Sequence, residues 1–168
     1  MMWFTSDWHL DHANILDFEK ERRKICNGKI SKMTDALISR YNNLIKKEDI
    51  CYHLGDFSLR NSDNWYWYKR CLDKMKGTKI LILGNHDKLN PFLYIDCGFQ
   101  SVHTSLDIGT YILVHDPAIT IVNKERKWLC GHIHTIFKKK NNVTNVGIDV
   151  WDYNPVSIEM LDKFNKDT

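Results

Sequence analysis

The sequence predicts an α/β (α+β) domain, built as a mixed sheet or as two packed sheets with helices outside. Three observations predict it. In the first half of the chain, short apolar runs that read as strands alternate with helical patterns, in the order strand, helix, strand, helix, strand. In the later half, short strand candidates surround turn residues, as hairpins require. The apolar runs also repeatedly end in Asp, Asn or His, so strands feed loops that carry ligand-type side chains.

Met2 to Thr5 reads as the first strand and runs into Ser6-Asp7-Trp8-His9. The segment Asp11 to Lys32 has no clear period, and its charge cluster Lys20-Glu21-Arg22-Arg23-Lys24 reads as an exposed helix or loop. Thr34 is a suitable N-cap, and Leu37, Tyr41, Leu44 and Ile45 recur at three- and four-residue spacing, which predicts a helix. Ile50 to Leu54 is the second strand and leads to Gly55-Asp56. A second helix begins near Ser62, places Trp65, Tyr68, Leu72 and Met75 on one stripe, and stops at Gly77. An aromatic stripe at that spacing reads as core. Lys79 to Leu83 is the third strand and leads to Gly84-Asn85-His86-Asp87. Gln100 to His103 and Tyr111 to Val114 are strand candidates around Asp107-Ile108-Gly109-Thr110, a plausible hairpin turn. Trp128 to Cys130 and Val143 to Val150 are further strands, and Pro155 and Ser157 are start signals for a short final helix.

The length of 168 residues fits one domain, 1–168, with a sizeable core. Apolar residues at 43% and charged residues at 27% suggest neither disorder nor a fibrous repeat. No internal repeat or Pro/Gly/Ser-rich linker divides the chain. Ile80-Leu81-Ile82-Leu83 is about the longest aliphatic run, and the N-terminus has no basic region before an apolar one. Neither a membrane span nor a signal peptide is expected. Cys26, Cys51, Cys71, Cys97 and Cys130 are scattered and form no C-x-x-C pair, which fits reduced, mostly buried thiols in a cytoplasm. The net charge of +3, from 24 basic and 21 acidic residues, is too balanced to point to nucleic acid. Lys138-Lys139-Lys140, with Lys124, Arg126 and Lys127, leaves a nucleotide or nucleic-acid partner open, although a charge run is usually a solvated face.

Five motifs carry the chemistry. Asp7 and His9 are two apart, so at an extended strand end their side chains project to one side and can meet one cation. Gly55 lets the backbone turn sharply before Asp56, whose two oxygens can bridge two metals. In Gly84-Asn85-His86-Asp87, Asn85 can ligate through its amide oxygen, and Asp87 is placed to hold the His86 ring and favour its protonated form. His115 ends an apolar run. Gly131-His132-Ile133-His134 sets two imidazoles at the spacing that shares one side of a strand. Each motif is weak alone, but five in order, each beside a strand candidate, are strong. Asp7, His9, Asp56, Asn85, His115, His132 and His134 are too many donors for one metal, whereas two metals sharing Asp56 can use them and keep room for water.

These motifs, D-x-H, G-D, G-N-H-D, a lone His and G-H-x-H, resemble the calcineurin-like metallophosphoesterase superfamily from the first strand to past residue 134. Ser6 to His12 and Val150 to Ser157 resemble its small phage and bacterial members. The resemblance implies a four-layer α-β-β-α sandwich with two mixed β-sheets flanked by helices. It implies one metal held by Asp7, His9, Asp56 and His134, and a second held by Asp56, Asn85, His115 and His132. His86 takes the place of the phosphate-facing acid, with Asp87 behind it. Mn²⁺ is implied by resemblance, and Fe, Ni²⁺ or Zn²⁺ also suit mixed nitrogen and oxygen donors. Many relatives continue G-D-x-x-D-R-G, but here the run is Gly55-Asp56-Phe57-Ser58-Leu59-Arg60-Asn61. The second acid is missing, which argues against a Ser/Thr protein phosphatase and leaves Arg60 as a candidate phosphate contact. His12, three residues past His9, is a second candidate for substrate contact.

Two divalent cations roughly 3.5–4 Å apart lower the pKa of a bridging water and neutralise charge on phosphoryl oxygens. The hydroxide would attack phosphorus in line, with His86 protonating the departing oxygen, a role worth about 10²–10⁴-fold. The expected reaction is hydrolysis of a small phosphoester or nucleotide-like substrate, a phosphodiester in preference. A phosphomonoesterase or nucleotide pyrophosphatase is the alternative on the same site. A nucleic-acid-binding or regulatory protein with incidental turnover is the alternative of a different class, and the full donor set argues against it. A Cys130 nucleophile beside His132 is the rival hydrolase reading, weakened because a ligand His is unavailable as a base.

Overall fold

The computed structural model describes residues 1–59, 65–122 and 125–167. In chain order the first elements are β1 (Met2–Thr5), α1 (Ile15–Phe18), α2 (Arg23–Cys26), α3 (Ile30–Leu44), β2 (Ile50–His53), α4 (Trp65–Leu72), β3 (Thr78–Ile82) and α5 (Pro91–Cys97). They are followed by β4 (Ser101–His103), β5 (Leu106–Asp107), β6 (Ile112–Leu113), β7 (Trp128–Cys130), β8 (Lys139–Lys140), β9 (Val143–Asn145), β10 (Val156–Ser157) and α6 (Ile158–Asp167). One sheet has the order β10-β1-β2-β3-β4, parallel except for β10. The other has the order β5-β6-β7-β9-β8, with parallel central pairs and antiparallel edges. The architecture is mixed α/β with two mixed sheets and helices, as expected.

Side-chain alternation along the strands builds the layers. Trp3, Cys51 and Leu81 join the cluster that holds Met33, Leu37 and Tyr41 of α3, Tyr68 and Leu72 of α4, and Tyr94 of α5. Their neighbours Phe4, Tyr52 and Ile82 point the other way and meet Leu113 and Leu129 of the second sheet, with Leu161 of α6 in the same cluster. Trp128, Cys130 and Val143 form a smaller cluster on the second sheet's other face.

The element boundaries differ from the sequence reading for local reasons. Helix α3 begins at Ile30, so Thr34 lies inside it; Met33 extends the Leu37–Tyr41 stripe one turn earlier. The expected start of α4 near Ser62 lies outside the described residues. Helix α5 was not anticipated, although Asn90 caps it by accepting from the Phe92 amide, Pro91 opens it and Gly98 follows it. The hairpin turn falls where expected, but β5 and β6 are its arms, while β4 pairs with β3. Strand β9 stops at Asn145, whose side chain accepts from the Gly147 amide and donates to the His134 and Phe137 carbonyls. Ile148–Val150 is then a 3-10 turn rather than strand. Helix α6 begins where Ser157 Oγ accepts from the Met160 amide. Among the described residues no helix is long and apolar enough to cross a membrane, and all five cysteines are buried, none of them in a disulfide.

Beyond the sheet, the chain leaving β1 runs beside the chain leaving β2. Asp7 N–H donates to Gly55 O (3.0 Å), His9 N–H to Asp56 O (2.9 Å) and Leu10 N–H to Phe57 O (2.9 Å). The loops at the carboxyl ends of β1 and β2 are therefore held together at one end of the sheet.

Candidate metal centre

Asp7 and His9 do not owe their convergence to an extended strand. Both have positive φ, 59° and 48°, as do Asp56 (54°), His132 (73°) and His134 (43°). Each such turn strains a residue with a side chain, at a cost on the order of 1–3 kcal/mol. Trp8 between them is 1% exposed, packs against Tyr41 and Phe57, and donates its indole N–H to Thr5 Oγ1 (2.7 Å). The buried indole anchors the turn that aims its two neighbours.

Asp56 lies at the middle of the cluster, 2% exposed. Its Oδ2 is 3.5 Å from His9 Nε2 and 3.5 Å from His115 Nε2, while Oδ1 accepts from the His86 amide at 2.8 Å. Burial alone would raise its carboxyl; hydrogen bonding and charge from His115, with the His86 amide, outweigh that and leave it well below the usual range. Asp7 is fully buried, and both its oxygens accept from the His132 amide. Donor atoms of Asp7, His9 and His134 lie within 4.8 Å of one another, and so do those of Asp56, His115 and His132. Asn85 Oδ1 is 3.0 Å from His115 Nε2 and 2.9 Å from His132 Nδ1. All seven predicted donors come together.

Two imidazoles test whether a cation fits. His9 is 3% exposed and neither ring nitrogen has a hydrogen-bond partner. Burial drives its pKa down to about 2, so it is a neutral ring next to the Asp56 carboxylate, with one of its two nitrogens a bare lone pair. An orphaned buried nitrogen is costly unless a cation or other partner satisfies it. His115 places Nδ1 at 2.7 Å from Leu54 O, which orients the ring and turns Nε2 toward Asn85 and Asp56. Burial opposes charge on His115, but Asp56 and Asp7 more than offset it and raise its pKa to about 9. In the metal-free protein a proton thus does there what a cation would do.

Glycine is required where loops touch. A Cβ on Gly84 would lie 2.3 Å from Asp56 Oδ1, and one on Gly55, itself at φ 89°, would lie 2.5 Å from His115 Nδ1.

The G-N-H-D loop differs from expectation at its last residue. Asp87 does not hold the His86 ring: Oδ2 accepts from the Asp56 and Gly84 amides (2.8 and 2.9 Å) and Oδ1 from the Phe57 amide (3.1 Å). Burial raises its carboxyl to about 6. It is the clasp between the loops after β2 and β3, and the acid within ion-pair distance of His86 is Asp56, at 4.0 Å. His86 itself faces the cluster, its ring 5.3 Å from that of His9 and its side chain 38% exposed. His12 joins them, with its ring 5.7 Å from His9 and 6.4 Å from His86. Arg60 lies outside the described residues.

The sequence reading missed Arg22 and Asp149. Arg22 belongs to the charge cluster expected to be exposed, yet it is 0% exposed. It grips Asp149 through Nε and Nη2, both 2.7 Å, and donates to the carbonyls of Trp8 (2.9 Å) and Asp7 (2.6 Å). Asp149 Oδ2 in turn lies 2.9 Å from His134 Nδ1, with Glu19 Oε1 3.7 Å from the same nitrogen. A lone acid in the apolar run Val143 to Val150, just after Gly147, was the available signal for Asp149; an unbroken run of charges from Glu19 to Lys24 concealed Arg22. Two other histidines lie off the cluster: His53 is buried against Trp8 and Phe57 with both ring nitrogens unpartnered, so it is His9's place beside Asp56, not its orphaned ring alone, that marks a donor, and His103 pairs with Ser101 Oγ. Burial pushes the Cys130 thiol far above its usual range, which removes it as a nucleophile. In the basic run, Lys138 Nζ sits 3.6 Å over the Trp151 ring and Lys139 Nζ donates to Asn165 O.

The donor side of Asn85, His115 and His132 opens into a cleft of about 450 Å³, walled also by Leu83, Val114 and Ile119. Buried carboxylates with buried to exposed imidazoles in two trios, with one acid between them, are the donor chemistry of a divalent-metal hydrolase. The chain belongs to the calcineurin-like phosphoesterase family, whose model matches residues 2–167. In general terms it is a metal-dependent phosphoesterase. It is 28% identical to an uncharacterized protein of Methanocaldococcus jannaschii, over 96% of this chain and 89% of that one. It is 26% identical to the Gene 66 protein of Mycobacterium phage D29, over 89% of this chain and 88% of the phage protein. A crystal structure of a protein of unknown function from Aquifex aeolicus superposes with a TM-score of 0.71 at 25% identity, covering 98% of both chains.

Proposed function

We propose that this protein hydrolyses a small or nucleotide-like phosphoester, a phosphodiester in preference, at a centre of two divalent cations, with Mn²⁺ the first choice. Asp7, His9, Asp56 and His134 would hold one, and Asp56, Asn85, His115 and His132 the other. The observation that carries this reading is Asp56 Oδ2, 3.5 Å from both His9 Nε2 and His115 Nε2.

Bound there, the cations supply acidified water and neutralise phosphoryl charge. The chain's own groups do the rest. Asp56 accepts the His86 amide through Oδ1, so the acid between the donor trios also fixes the backbone of the proton donor. His86, partly exposed above the cluster, gives its proton to the departing oxygen. His12 contacts the phosphoryl oxygens beside it. Leu83, Val114 and Ile119 form an apolar side to the cleft, where a diester's second substituent has a place to lie, which supports diester over monoester.

A hydrolysis panel with Mn²⁺ tests the reading: a chromogenic phosphodiester, its monoester, a cyclic nucleotide and a dinucleoside polyphosphate. Diester turnover abolished by EDTA and restored by Mn²⁺ is expected. A metal-loaded protein that cleaves none of them while binding DNA or RNA tightly would overturn it.

A further inference from the structure

We infer that Arg22 and Asp149 are positioning residues that aim His134 at the first cation and reserve it for that ion. The inference rests on the two-cation reading above. His134 presents Nδ1 to Asp149 Oδ2 at 2.9 Å. When Nδ1 carries the proton and donates it, the other ring nitrogen is left as a bare lone pair, the form a cation needs. A carboxylate behind a ligand histidine fixes both tautomer and ring direction, and losing such a partner typically weakens metal binding by about 10–100-fold.

Asp149 has its own anchor. Arg22 meets it edge to edge, Nε to Oδ1 and Nη2 to Oδ2, both at 2.7 Å. The guanidinium's remaining donors reach the Trp8 and Asp7 carbonyls, at 2.9 and 2.6 Å, inside the strained turn that presents Asp7 and His9. A single buried cation therefore fixes the D-x-H turn directly and His134 through Asp149. These are the donors assigned to the first ion apart from the shared Asp56.

The pair also removes a competitor. Donors of Glu19, His134 and Asp149 lie within 4.8 Å of one another and by themselves form a rival trio for a cation. With both Asp149 oxygens engaged by a guanidinium, a cation entering the trio would meet a positive charge and an acid already neutralised. A core ion pair generally adds little net stability over apolar residues, so stability alone gives no reason for this one; direction and charge placement do.

The test compares wild type with Asp149→Asn, Arg22→Gln and the double variant Arg22→Gln/Asp149→Asn, which buries no lone charge if a single variant folds poorly. Circular dichroism first verifies the fold, then equilibrium dialysis counts Mn²⁺ and electron paramagnetic resonance reports whether two ions are coupled. Wild type should hold two ions per chain with a coupled spectrum. The variants should keep one ion at unchanged affinity, bind the other about 10–100-fold more weakly, and give the spectrum of isolated Mn²⁺. Two ions with unchanged affinities and a coupled spectrum in the double variant would overturn the inference and leave the two-cation reading standing. A wild type that binds no Mn²⁺ would overturn both.

Discussion

A change at Asp56 should reach both halves of the centre, because one oxygen lies 3.5 Å from His9 and from His115. Asp56→Asn is expected to lower Mn²⁺ occupancy at both positions, and normal metal content by elemental analysis would refute the shared role. His86→Ala should keep both ions and lose about 10²–10⁴-fold in turnover; an unchanged rate removes it as the acid. His115 makes the metal-free protein sensitive to pH. Its folded pKa of about 9 exceeds the ordinary imidazole value of 6.5, because Asp56 and Asp7 outweigh burial. Between those values the folded chain binds a proton that the unfolded chain does not. Its stabilisation, up to roughly 3 kcal/mol, is complete below about pH 6.5 and is lost as pH rises through 9. Denaturant titrations in EDTA at pH 6 and pH 9 should show this loss, and His115→Gln should flatten it.

The loops behave as coupled elements. Asp87 accepts three amides from the segments after β2 and β3, and each buried donor left unpaired costs roughly 1–3 kcal/mol. Asp87→Ala should therefore lower the unfolding free energy by at least about 2 kcal/mol and release metal. If Asp87 served the His86 ring instead, the substitution would alter the pH profile of turnover with little effect on stability. The strand-to-loop junctions at Asp7, Asp56 and Asn85 were legible in the sequence because an apolar run ending in a ligand-type residue is a local pattern. Helix α5 was legible in principle, through Asn90, Pro91 and Gly98. Arg22 was not, since nothing local separates a buried guanidinium from its four charged neighbours. Nor was the geometry of Asp7 and His9, where left-handed turns replaced the alternation that spacing alone suggests. Asp87 was misassigned because sequence adjacency to His86 says nothing about which way a carboxylate turns.

For the molecule as a whole, each cation that binds only the folded chain adds about 2.7 kcal/mol at a hundred times its dissociation constant. For a chain of this size that corresponds to a rise in Tm on the order of 5–10 °C per site. Thermal melts with Mn²⁺ and with EDTA should differ accordingly, and identical melts would show that the cluster binds nothing. Arg22 and Asp149 are 127 residues apart, and the His132 amide reaches Asp7 across 125. During synthesis, all four parallel strands of the first sheet, through His103, emerge before His115, His132, His134 or Asp149 exists. The His132 amide that holds Asp7 in its strained turn is thus made only after most of the chain. A chain that ends before residue 132 lacks His132 and His134, one donor from each trio, so on the two-cation reading such a truncated product should bind Mn²⁺ more weakly than the full chain in equilibrium dialysis.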